Sequence, residues 1–175
     1  MRLTHQGRGA NVRMDYRLIH FNCARPTGAF TFDNEFVHVF LAILPRIFGD
    51  ADTFEGIHWH RHGLRQPDGR WRDLGDAFPY ATDLGVPDVC TMAGWASLED
   101  MRSFVYNGRT HPAGMRRLQD QLDRSQGPGF VMWWAPQEER FTMEDGWERL
   151  THLRQNGSSP YAFSLDQPLV RPQVA

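Results

Sequence analysis

Residues 16–23 alternate cleanly, with Ile19 and Phe21 on one side of an extended chain and Leu18, His20 and Asn22 on the other. That period of two predicts a strand. The pattern then changes to a helical one. Asp33 is a candidate N-cap, and Phe36, Phe40, Ile43, Leu44 and Ile47 fall at helical spacing, with Pro45 expected to end or kink the helix about three turns in. Alternation returns after Gly56, where His58, His60 and His62 interleave with Ile57, Trp59 and Arg61. A third strand runs from Val89 to Trp95. Ser97 and Asp100 form a capping box opening a helix through Met101, Phe104 and Val105. Asn107-Gly108 and His111-Pro112 interrupt that helix, and Met115, Leu118 and Leu122 continue it as a second piece. Residues 130–135 are apolar on both faces of a strand. Thr142 and Asp145 cap a last helix carrying Trp147, Leu150 and Leu153, stopped by Gly157.

The order strand, helix, strand, strand, helix, strand is the ferredoxin-like split motif of an α+β protein, here with an extra C-terminal helix. Two helices cover one sheet face in that motif. The apolar face of Ile19, Phe21, Ile57 and Trp59 is expected to lie under them. His20, Asn22, His58 and His60 then face an open lumen, with His20 and His58 about 10 Å apart across an intervening strand. The doubly apolar strand at 130–135 asks for a cover on the bare face as well. A homodimer burying the face with His20 supplies it, closing a dimeric α/β barrel. The segment from Leu64 to Asp88, with Pro67-Asp-Gly69, Gly75 and Pro87, is expected to hold a hairpin or a lid.

Composition narrows the class. The 175 residues suit one globular domain, expected over 14–165, with an N-terminal arm at 1–13 and a tail at 166–175. A net charge of −2 gives no footprint for nucleic acid or an anionic membrane. No apolar run reaches membrane-spanning length, and Cys23 and Cys90 read as reduced core residues, so a cytoplasmic protein is expected. Phosphate loops, nucleophile elbows and dinucleotide glycine patterns are absent from the sequence.

The candidate chemistry centres on histidine, whose charge changes near neutral pH. Three imidazoles on one strand face read as a pocket wall; a divalent metal at His58 and His60 is the less favoured use, since a third ligand is still needed. His111, at a helix break, is a candidate acid/base.

Several separated motifs resemble the bacterial family known as domain of unknown function 3291, in the dimeric α/β-barrel superfamily of antibiotic-biosynthesis monooxygenases. They are Trp95-Ala-Ser97-Leu-Glu99, Phe104-Val-Tyr106, His111, Met115-Arg-Arg117, Val131-Met-Trp-Trp-Ala-Pro136, Arg149-Leu150, Leu153-Arg154 and Ala162-Phe-Ser164. The resemblance spans roughly residues 14–165. It implies the ferredoxin-like barrel, a homodimer and a small-molecule site. Haem degraders of that superfamily use a first-strand Asn, a Trp and a helix His, to which Asn22, Trp95 and His111 look similar. The stretch after Gly56 departs from the family pattern: only Trp59 fits it, and His58 and His60 are particular to this chain.

The expected function is thus a monooxygenase-like or cyclase/isomerase-like enzyme of specialised metabolism, acting on a largely apolar or aromatic substrate. Its catalytic candidates are Asn22, His58, His60 and His111. Its substrate-binding candidates are His20, His62, Trp95 and Phe104. No cofactor is favoured. The alternatives are a haem enzyme with His111 as axial ligand and a non-catalytic small-molecule-binding or stress protein.

Overall fold

A computed structural model describes residues 15–31, 33–74 and 84–173. The chain runs through β1 (Tyr16–Pro26), α1 (Glu35–Thr53), β2 (Ile57–Arg65), β3 (Trp71–Arg72), β4 (Asp88–Trp95), α2 (Leu98–Arg102), a π-helical turn (Ser103–Asn107), α3 (Thr110–Leu118), β5 (Leu122–Asp123), β6 (Phe130–Pro136) and α4 (Met143–Asn156). The four long strands order as β2-β4-β1-β6, all neighbours antiparallel, which is the ferredoxin-like arrangement read from the sequence. The short β3 extends the β2 edge through the Pro67-Asp-Gly69 hairpin, with Gly69 at φ 88° as the turn requires. The N-terminal arm and residues 75–83 of the expected lid lie outside the described residues.

Helix starts follow their caps. Asn34, one residue after the expected Asp33, accepts from the Phe36 amide. Ser97 caps α2, and the Thr142–Asp145 pair forms a reciprocal capping box on α4. Two expectations about proline change. Helix α1 does not end at Pro45 but continues to Thr53. Its second half packs Ile47 and Phe48 with the α1 core and buries Ala51, and this burial offsets the cost of about 3 kcal/mol for an interior proline. Pro112 sits in the first turn of α3, where its missing N–H has no partner to lose, so His111 is helical. The break lies earlier, in the π-helical turn and Gly108.

The two sheet faces exchange roles relative to the sequence reading. Ile19, Phe21 and Trp59 belong to a core built with Leu150 and Leu153 of α4, so the C-terminal helix covers the face expected under α1. Gly146 makes that approach possible: a Cβ there would meet Phe21 Cδ2 at 2.3 Å. The face with His20, Asn22 and His60 lies beneath α1, α2 and α3 instead. Alternation alone cannot say which helix takes which face, because both faces are apolar enough to bury. Beyond this, Phe163 pairs with Met132 on the outer edge of β6, and Trp134 Nε1 donates to the Leu169 carbonyl at 2.8 Å. Residues 163–169 thus pack along the outer side of the doubly apolar strand, and the His20 face, through which a homodimer was expected, carries helices of the same chain.

The three histidines of β2 do not share a face. A bulge between Ile57 and Trp59 inserts His58 as an extra residue: Ile57 pairs with Trp95 and Trp59 with the next residue, Gly94. His58 is exposed, whereas Ile57 and His60 both line the helix side. Past the bulge Trp59 packs on Gly94, where a Cβ would meet Trp59 Nε1 at 2.6 Å. The indole lies in the space that a side chain would fill.

Candidate active site

A cavity of about 500 Å³ lies between the sheet and helices α1, α2 and α3. Its walls are mainly apolar. Helix α1 contributes Phe36, Phe40, Ile43 and Phe48; Trp95 ends β4, and Phe104 sits in the π-helical turn. Trp95 and Phe104 pack with centroids 5.5 Å apart, and Phe54 meets both. A volume and lining of this kind suit a compact organic molecule.

Three polar side chains enter this apolar space with unused hydrogen-bonding capacity. The sheet register aligns His20, Ala93 and His60 in one row, and Asn22, Thr91 and His62 in the next. His20 packs edge-on to Phe130 at 5.5 Å, and neither of its ring nitrogens has a hydrogen-bond partner among the described residues. Neither nitrogen is sealed off, so both remain open to a ligand in the cavity. Burial, reinforced by nearby His111, pushes its pKa down to about 3, so His20 is a neutral imidazole at physiological pH. The Asn22 amide likewise has no protein partner among the described residues.

His111 completes the group from the helical side. Its Nδ1 donates to the Val105 carbonyl at 3.0 Å, which fixes the tautomer and leaves the lone pair on Nε2. Burial lowers its pKa, partly opposed by that hydrogen bond. The π-helical turn puts the Val105 carbonyl within reach of the ring, a use of the wide turn common at functional sites.

The remaining candidates divide. His60 lines the cavity with Nε2 2.8 Å from Asp52, and is thereby engaged. His62 lies over Phe48, ring centroids 4.4 Å apart; burial depresses its pKa against the pull of Asp73. It is a packing residue beside the cavity, outside its lining. His58 is outside as well, so His58 and His60 do not converge on one ion, and no cluster of three ligand-type side chains suited to a metal occurs among the described residues. Of the eight proposed site residues, Asn22, His20, His60, Trp95, Phe104 and His111 meet at one cavity. Missed were the α1 aromatics, whose helical stripe reads as ordinary core, Arg116, which with Arg117 reads as a solvated face of its helix, and Arg124, which no sequence signal marks.

A sheet with helices on both faces, a largely apolar cavity under one of them and a neutral histidine pair in it define a small-molecule site. The chain belongs to the family described as domain of unknown function 3291, whose model matches residues 17–175. No curated protein matches it in sequence. Among solved structures it is similar to a point mutant of SnoaB, a cofactor-independent oxygenase from Streptomyces nogalater (12% identity, 73% of this chain and 97% of that one, TM-score 0.42). It is also similar to a protein of unknown function from Nitrosomonas europaea (9% identity, 74% and 96% coverage, TM-score 0.41). A third is a candidate antibiotic-biosynthesis monooxygenase from Caulobacter crescentus (14% identity, 72% and 94% coverage, TM-score 0.38). These are distant likenesses of chain trace and carry no chemistry across. No helix among the described residues is long and apolar enough to cross a membrane.

Proposed function

We propose that the protein is an enzyme that abstracts a proton from a small, largely aromatic or apolar substrate held in this cavity. One observation carries the reading: His20, Asn22 and His111 stand partnerless or half-partnered in a space otherwise lined by apolar groups. Buried polar groups without partners are costly, and a ligand that satisfies them recovers that cost. His111 Nε2 is the base, since its lone pair is held free by the Val105 bond. His20, too weakly basic to take a proton, donates from its neutral ring to the oxygen of the resulting enolate or phenolate. The Asn22 amide donates to the same oxygen, and low polarity around it strengthens both bonds. This first step is common to cofactor-free oxygenation and to cyclisation or isomerisation.

Calorimetric titration with 2-naphthol, a phenol small enough to enter the cavity, tests the arrangement. The wild-type protein is expected to bind it, and His20→Phe or Asn22→Leu to weaken binding about tenfold, the worth of one strong hydrogen bond. Absence of binding to the wild type, or variants that bind as tightly as the wild type, contradicts the reading.

The haem alternative rests on the same ring. His111, with Nδ1 on a backbone carbonyl and Nε2 free, would hold the iron, and Arg116 and Arg124 at the cavity would pair with the propionates. Haem would supply redox chemistry at iron. A Soret band on adding haem, lost in His111→Ala, would establish it.

A further inference from the structure

We infer that the substrate of this cavity is an acid, a molecule with an apolar aromatic body and a carboxylate or similar anionic group at the end remote from His20 and His111. The inference rests on the small-molecule reading above and adds the charge and polarity of the ligand. Its basis is the asymmetry of the lining. Every charged side chain that lines the cavity is an arginine, with no aspartate or glutamate among the described lining residues. Arg61 is spoken for, bonded to the Phe141 carbonyl at 2.9 Å. The Arg116 and Arg124 side chains have neither an ion pair nor a hydrogen bond among the described residues, and both residues are exposed.

The fold places these two arginines at one end. Leu122, two residues before Arg124, pairs with Pro26 at the end of β1, and Ala24, Val89 and Leu118 line the cavity nearby. His20 lies four residues back along β1, a separation of about 13 Å in a strand. On α3, Arg116 is five residues beyond His111, about 7 to 8 Å along the helix axis. Gln119, exposed on the turn that follows α3, adds a neutral donor at the same end. The cavity is thus polar at two separated places with an apolar middle. At one place neutral donors and a base face the reacting atoms. At the other, two free guanidiniums fit a planar oxyanion, which they bind in paired hydrogen bonds. An anion held there fixes which atom of the body reaches His111, and so sets regiochemistry.

Two dyes with the same ring system read the two ends separately. 1-Anilinonaphthalene-8-sulfonate carries an anionic group that N-phenyl-1-naphthylamine lacks. Fluorescence titration of the wild-type protein is expected to give a dissociation constant at least about tenfold lower for the sulfonate. Arg116→Gln combined with Arg124→Gln is expected to erase that preference and leave the affinity for the neutral dye unchanged. Both arginines are exposed, so circular dichroism should show the fold of the double variant intact. Added sodium chloride should weaken only the sulfonate. Equal affinity for the two dyes, or a preference that survives the double substitution, overturns the acid inference while leaving the apolar cavity standing. Failure of the neutral dye to bind overturns the small-molecule reading itself.

Discussion

His111 Nδ1 donates to the carbonyl of Val105, 3.0 Å away, across the junction between the π-helical turn and α3. That bond fixes the tautomer of the neutral candidate base, because a carbonyl can only accept. Nitrogen NMR of the histidine side chains is expected to find His111 as the neutral Nδ1–H tautomer at pH 7. Its titration midpoint should lie below the ordinary 6.5, since burial dominates its environment. An Nε2–H tautomer would remove His111 as a base.

Acid should destabilise the protein through His20. Its folded pKa of about 3 lies below the unfolded value of 6.5, so the unfolded chain binds the extra proton between those limits. Stability therefore rises with pH across that window, is complete above 6.5 and is lost as pH falls toward 3. Between pH 7.5 and 5 this group alone accounts for about 2 kcal/mol. His62 and His111, also depressed, act in the same direction. Urea unfolding at the two pH values should show the loss, and His20→Phe should reduce it.

Gly146→Ala should destabilise by about 1 to 3 kcal/mol, because the new methyl has no room against the Phe21 ring. Gly49→Ala, on α1 with open space around it, is the control and should be neutral or slightly stabilising. Thermal melts of both variants check whether α4 seals the sheet within one chain.

His58→Ala should leave stability and ligand affinity unchanged, since the bulge turns His58 to solvent. His60→Ala removes a cavity wall and the Asp52 contact, and should weaken 2-naphthol binding. Parallel titrations of the two variants test the register.

The strand and helix order was legible in the sequence because each element carries its own signal: alternation at Ile19 and Phe21, capping at Ser97 and Thr142, a glycine stop at 157. The assignment of faces was not. It depends on α4 finding Gly146 above Phe21, a contact between residues 125 apart that no local pattern records. The bulge at His58 was not legible for a similar reason, since it involves Trp59 packing on Gly94 of another strand. His20, Asn22 and His111 were recognisable as polar residues in apolar surroundings. Their convergence on one cavity, opposite the aromatics of α1, required the packed layers.

The most direct test of proton abstraction in this cavity is hydrogen exchange at an activated carbon. 2-Tetralone in deuterium oxide exchanges its α-hydrogens, and proton NMR follows their loss. The protein is expected to accelerate that exchange, and His111→Ala to slow it by about a hundredfold with 2-tetralone binding retained. Wild-type protein that binds 2-tetralone without accelerating its exchange, or a His111→Ala variant as fast as wild type, would contradict the account.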